Sequence, residues 1–202
     1  MSSLPEEPIV MTEAEYLEFE RNSTFKHEWI DGEVVAMTGA SRAHNIITGN
    51  TYAALHSQLR QRPCEIYPAD MRVKIEATRQ YTYPDISIVC GDAQFADVGL
   101  DSLVNPTVII EVLSHSTERY DRGMKFQSYR KLSSLQEYIL ISQDSPRIEH
   151  YRLQDDGTWG LIDAEGIDAI IELDAVGCTL SLTDVYEKVI FTNDDSEDTR
   201  QT

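Results

Sequence analysis

One carboxylate inside an apolar run constrains this chain more than any other feature. The segment from Thr107 to Leu113 reads Thr-Val-Ile-Ile-Glu-Val-Leu, and a run of that length and composition predicts a buried strand. Side chains alternate along a strand, so Val108, Ile110 and Val112 share one face while Ile109, Glu111 and Leu113 share the other. Both faces are otherwise apolar, which leaves Glu111 without a polar face to occupy. An ionised carboxylate in such a place is costly unless a cation, a metal or several donors compensate it. Glu111 is therefore a candidate for chemistry. Two plainer roles stand beside that one: an edge strand that turns Glu111 to water, or a buried pairing with an arginine.

The chain has 202 residues, enough for one sizeable core and few for two. A single domain over residues 1–192 followed by a disordered acidic tail, 193–202, is expected. Lys and Arg number 17 against 35 Asp and Glu, for a formal net charge of −18. Such a charge opposes non-specific attraction to a polyanion, so any nucleic-acid function must arise from local contacts. Cys64, Cys90 and Cys178 are far apart and form no CxxC pair, which argues against a disulfide framework or a zinc knuckle and for reduced thiols in the cytoplasm. The first residues lack a cationic and apolar leader pattern, and no apolar run is long enough to span a bilayer.

Along the chain, Thr12 followed by Glu15 forms the reciprocal cap of a helix from about Glu13 to Glu20. Asp31-Gly32 then divides two β-favouring segments as a hairpin turn, with Glu33 opening the second. Ile47, Thr51, Leu55 and Leu59 recur at helical spacing behind the cap residue Ser41, which places His44 in the first turn of a helix reaching about Gln61. Pro63 ends it, and Cys64 to Ala77 reads as one or two strands, with Arg72 on a polar face. Pro84-Asp85 opens a further strand. After Glu111, Ser116 or Thr117 caps a helix to about Leu132 that carries Arg119, Arg122, Lys125, Arg130 and Lys131. Glu137 to Ser142 reads as a buried strand, so strand, helix and strand form a parallel crossover. A hairpin turning at Asp156-Gly157 and further short strands follow.

Asp85, Glu111 and Lys125 thus form an ordered set of two carboxylates and one ammonium. Carboxylates brought together on adjacent strands repel each other, and a hard divalent cation such as Mg²⁺ or Mn²⁺ is the natural neutraliser. A lysine beside them could orient or deprotonate a metal-bound water. Ser114, His115 and Ser116 do not form a hydrolase triad, because adjacent residues cannot converge in that way and no GxSxG elbow is present.

Pro84-Asp85, a loop, the apolar strand with Glu111 and the helix after it resemble the PD-(D/E)XK nuclease superfamily. Asp31-Gly32-Glu33, His44, the run Glu111-Val112-Leu113-Ser114 through Ser116-Thr117, and Asp121, Lys125 and Tyr129 resemble more closely the Uma-two type of restriction endonuclease family, over about Glu13 to Arg152. The resemblance implies an α/β (α+β mixed sheet) fold class. Its restriction-endonuclease-like core of mixed strands would be flanked by helices, with an N-terminal helix and hairpin and extra C-terminal strands. It implies a metal-dependent nuclease acting on DNA, with Asp85, Glu111 and the Val112 carbonyl holding Mg²⁺ or Mn²⁺. The superfamily pattern places a lysine two residues after the glutamate, where this chain has Leu113, so Lys125 is expected to substitute. The same resemblance offers Glu33 as a further metal or water ligand, in place of a solvated strand residue, and His44 as a phosphate contact or proton shuttle. A homodimer is a further expectation. The alternative is a nuclease-derived fold that lost catalysis with Leu113 and serves as a binding or scaffold module.

Overall fold

Local signals near the N-terminus are realised as written in the sequence. A computed structural model describes residues 8–99 and 101–191; the acidic tail expected over 193–202 lies outside them. Strand β1 (Ile9–Val10) leads to helix α1 (Glu13–Asn22), whose capping box joins Thr12 and Glu15 reciprocally. Strands β2 (His27–Ile30) and β3 (Glu33–Ala36) form a hairpin in which Asp31 and Gly32 both take positive φ, 47° and 106°. A two-residue turn needs that conformation to match the strand twist, and Asp-Gly adopts it at low cost. Helix α2 (Arg42–Leu59) is capped by the Ser41 hydroxyl, which accepts from the His44 amide.

The rest of the chain builds two mixed sheets. Strands β4 (Cys64–Pro68), β5 (Arg72–Ile75), β6 (Gln80–Thr82), β7 (Ile86–Cys90), β8 (Ser102–Leu103) and β9 (Val108–Val112) precede the second helical region. That region runs through α3 (Glu118–Tyr120), a π-helical turn (Asp121–Lys125) and α4 (Phe126–Tyr129). Strands β10 (Glu137–Ile141), β11 (Arg147–Leu153), β12 (Trp159–Glu165), β13 (Ile170–Leu173) and β14 (Cys178–Ser181) follow, then α5 (Leu182–Val185). The first sheet has the order β1-β3-β2-β6-β5-β8, the second β12-β11-β10-β9-β7-β4, and β13 and β14 form a separate hairpin. Strands β9 and β10 are parallel, joined through the helical region as a crossover.

The second sheet has a core on each face. On one, Ile47, Leu55 and Leu59 of α2 pack against Ile86, Ile88, Ile110, Ile139 and Ile148, with the β13–β14 hairpin and α5 closing the layer. On the other, Ile109, Leu113, Tyr138 and Leu140 meet Phe126 and Tyr129 of α4 and Val73 and Ile75 of the first sheet. A smaller cluster of Tyr16, Trp29, Val34 and Tyr81 fixes α1 to the first sheet. Full burial of a side chain such as Leu55 is worth roughly 1.5–3 kcal/mol, so α2 is held chiefly by its apolar stripe. Among the described residues no helix is long and apolar enough to cross a membrane.

Two expectations are corrected by the structure. Cys64 and Cys90 are register partners on β4 and β7 and are joined by a disulfide, leaving Cys178 as a free, buried thiol. Strand pairing, invisible in the linear spacing of the cysteines, brings them together, so three reduced thiols are not what the fold holds. The segment from Cys64 to Ala77 forms two strands, as one of its two readings had it, one in each sheet, but Arg72, placed on a polar face by alternation, is only 3% exposed. Its guanidinium reaches Asp101 at 2.6 Å and lies over the Tyr16 and Tyr81 rings. A stacked, paired arginine tolerates burial that alternation alone assigns to water.

Candidate active site

Strand pairing brings Asp85 and Glu111 together. β7 runs antiparallel to β9 with Ile86 opposite Ile110, so Asp85, one residue before β7, falls opposite Glu111. The Asp85 amide points at Glu111 Oε2 at 3.4 Å, and the Val112 amide donates to Asp85 Oδ2 at 2.7 Å. As alternation requires, Glu111 projects to the face of Ile109 and Leu113, and it is 4% exposed. It is neither at an edge nor paired with an arginine.

Its cation is Lys125. The ammonium lies 2.9 Å from Glu111 Oε1, 3.2 Å from Glu28 Oε1 and 3.6 Å from Asp121 Oδ1. Asp121 and Lys125, four residues apart in the π-helical turn, lie on one side of the helix and are both buried. Leu113, where the superfamily pattern places lysine, is instead buried among the apolar residues of this face. Tyr129 donates its hydroxyl to Glu111 Oε1 at 3.0 Å and shares a second 3.0 Å hydrogen bond with Thr82. The Tyr120 hydroxyl is shut from solvent and has no hydrogen-bond partner among the described residues.

His44 borders the more open side of the cluster. Its Nε2 lies 3.2 Å from Asp85 Oδ2, with side chains 15% and 16% exposed respectively, so the first turn of α2 aims its ring at the same carboxylate. Burial disfavours the imidazolium, but Asp85, the Val112 main chain and Asp121 outweigh it and raise the His44 pKa. Glu33 is not brought to this place. It is exposed on β3 opposite Ile30 and Val10, and no hydrogen bond or ion pair among the described residues joins it to the cluster. The carboxylate that this hairpin contributes is Glu28, on the preceding strand, 7% exposed. The signal for it was weak: Ile30 shares its face of the strand, but so does Lys26, so alternation allowed Glu28 a polar face of the kind denied to Glu111.

The electrostatics are lopsided. Glu28, Glu111 and Asp121 surround one ammonium in a desolvated space. Burial, helped by Asp121 and Asp85 and opposed by Lys125, pushes the Glu111 pKa up to about 8. Burial also raises Asp121. Burial works the other way on Lys125, yet Glu111 and Glu28 more than offset it and hold its pKa well above the ordinary value, so the lysine is a fixed ammonium.

Two large mixed sheets flanked by helices place the chain in the mixed α/β class, with paired acidic residues and a buried lysine gathered at the end of β7 and β9. Residues 13–183 match the Uma2 family, described as putative restriction endonuclease, and the chain belongs to that family. Among its relatives are two uncharacterized proteins of Synechocystis sp. One, sll1609, is 39% identical over 163 residues, covering 81% of this chain and 92% of the relative. The other, slr1290, is 34% identical over 177 residues, covering 88% and 92%. A crystal structure of a putative nuclease belonging to DUF820 from Anabaena variabilis superimposes with a TM-score of 0.74 at 19% identity, over 89% of this chain and 99% of that one. That likeness confirms the fold.

Proposed function

We propose that this chain is a metal-dependent nuclease that hydrolyses phosphodiester bonds, in DNA by preference, with Asp85, Glu111 and Lys125 at its centre. The observation that carries this reading is the excess of buried carboxylate over buried ammonium at a point where two strands deliver Asp85 and Glu111 side by side.

The residues present fit a hard divalent cation. Glu111 Oε1 is occupied by Lys125 and Tyr129, while Oε2 receives only the long contact from the Asp85 amide. Asp85 Oδ2 is taken by the Val112 amide and His44. Asp85 Oδ1 and Glu111 Oε2, with the Val112 carbonyl that also faces His44, are then the oxygens that would hold Mg²⁺ or Mn²⁺, an all-oxygen set of the kind such ions prefer. Among the described residues no three His, Cys, Asp or Glu side chains are placed to ligate a cation by themselves, so main-chain and water oxygens would complete the shell. When bound, the cation supplies Lewis-acid stabilisation of phosphate charge and a water of lowered pKa.

The chain's own residues divide the remaining work. Lys125, held protonated, donates hydrogen bonds and positive charge and does not accept a proton; of the two roles open to it from sequence, orientation is the one its surroundings favour. Tyr129 fixes the Glu111 rotamer. His44, with a raised pKa and partial access to solvent, is placed to contact a phosphate oxygen or carry a proton at the rim. Glu28 and Asp121 hold the ammonium from its other sides. Glu33 has no part in this scheme.

The test is a cleavage screen on single- and double-stranded DNA and RNA with Mg²⁺, Mn²⁺ and chelator. Cation-dependent cleavage that Asp85→Asn removes is the expected result. A wild-type protein inert on every substrate, or an Asp85→Asn variant of full activity, would reject the reading and favour the scaffold alternative.

A further inference from the structure

The two large sheets have four outer edges, and three carry the usual protections against pairing with another chain. β1 and β8 have two residues each, and β4 ends in Pro68. β12 has seven residues, paired with β11 along its whole length. It contains no proline and no lysine, and among the described residues no strand pairs with its other edge. Leu161 is 53% and Ile162 45% exposed, one on each face of the sheet.

The main chain fixes which groups face outward. At the two ends of the β11–β12 ladder, the Gln154 amide donates to the Thr158 carbonyl and the Gly166 amide to the Pro146 carbonyl. Antiparallel pairs alternate between hydrogen-bonded and non-bonded, so Gly160, Ile162 and Ala164 bond to β11, while Trp159, Leu161, Asp163 and Glu165 turn their N–H and C=O groups to the open edge. A second copy of this strand, antiparallel, can satisfy all four at once in one register only, centred on Ile162. Leu161 then meets Asp163, Trp159 meets Glu165, and Ile162 meets itself at a non-bonded position, where side chains approach most closely.

Charge singles out the same edge. Two chains of net charge −18 repel, so self-association needs a locally balanced surface. Arg147 offsets part of the acid on this edge, forming a two-pronged pair with Asp163 at 2.9 and 2.6 Å and reaching Glu165 at 3.4 Å. In the register centred on Ile162 no acid faces an acid, whereas centring on Asp163 would set that residue against its own copy. We propose that β12 is a two-fold dimer interface, in which the strand pairs antiparallel with a second copy of itself about Ile162 and extends the second sheet across both protomers.

Light scattering on the full chain checks the assembly, and cysteine cross-linking checks the register. A dimer is expected, tightening as salt screens the mutual repulsion. Ile162→Cys should cross-link to itself under mild oxidation, whereas Asp163→Cys, opposite Leu161, should not. Ile162→Lys sets two ammonium groups face to face and Leu161→Pro removes an outward donor; both should yield monomers with unchanged circular dichroism. If either variant fails to fold, the two cysteine variants still decide. A wild-type monomer at every concentration, equal cross-linking of both cysteine variants, or slow amide exchange at Leu161 and Asp163 in a monomer would each overturn the proposal. Asp85→Asn should dimerise like wild type, which separates this outcome from that of the nuclease reading.

Discussion

The second sheet buries ionisable groups on both faces, and the two clusters differ in what surrounds them. On the face towards the helical region, Glu111, Glu28, Asp121 and Lys125 form a dense network that meets solvent through Asp85 and His44. On the opposite face, Glu137 of β10 and His150 of β11 are both fully buried at 3.6 Å, inside the aliphatic layer that also holds Ile139 and Ile148. Among the described residues, Glu137 Oε2 and both His150 ring nitrogens have no hydrogen-bond partner, and Glu137 Oε1 accepts only from the Ala175 amide at 3.3 Å. Burial alone therefore does not mark a site. The first cluster has surplus charge, converging elements and a route to solvent, whereas the second has one acid, one imidazole and a sealed core.

The largest effect that could break this contrast is on activity. Asp85→Ala and Glu111→Ala should each lower cleavage by on the order of 10²–10³-fold, the scale of losing a key electrostatic group, while the protein stays folded. Replacing Glu137 and His150 together by leucine should leave cleavage unchanged. Comparable losses in both sets, in the same assay, would erase the distinction.

Stability gives the next test. His150→Ala alone strands the Glu137 carboxylate and should cost on the order of 3 kcal/mol by denaturant melt, whereas the paired leucine replacement should be neutral or stabilising. Equal costs for single and double variants would show that the pair is not coupled.

A smaller effect follows from the direction of the Glu111 shift. Its folded pKa, about 8, lies above the ordinary 4.5, so the folded state binds the proton more tightly than the unfolded state does. That contribution is complete below about pH 4.5 and is lost as pH rises towards 8. Metal-free wild type should therefore weaken across this window, and Glu111→Gln should remove that part of the slope, gaining on the order of 1–2 kcal/mol over wild type at pH 9. Mn²⁺ should raise the wild-type melting temperature at that pH and leave Glu111→Gln nearly unmoved. A parallel pH slope in both proteins would place the titration elsewhere. Smallest of all, Tyr129→Phe removes one donor from Glu111 and should cost about 1 kcal/mol, with turnover affected more than thermal stability.

Much of this site was legible before any coordinates. Alternation alone assigned Glu111 to the face of Ile109 and Leu113, and the strand order placed Asp85 and Lys125 close to it. Glu28 escaped because the hairpin turn drew notice to Glu33, the acid beside the glycine, while the buried acid sat beside a tryptophan. The Cys64–Cys90 bridge and the division of Cys64 to Ala77 between two sheets were hidden for another reason. Both depend on which strands become neighbours, and local propensity carries no record of that. Arg72 failed the alternation rule because its charge is answered by Asp101 and two aromatic rings, all distant in sequence.

The π-helical turn has a consequence for how such proteins are found. A lysine carried two residues after a strand glutamate is tied to it by fixed spacing, and a text pattern can recover it. A lysine arriving from a helix is tied only by direction, and one residue inserted or removed near Gly123 would swing it by about 100°, a little over a quarter of a turn. Relatives that gained or lost such a residue would have to re-aim the ammonium from another helical position. The ammonium would then drift through an alignment while staying fixed in space, and a search by spacing alone would miss it.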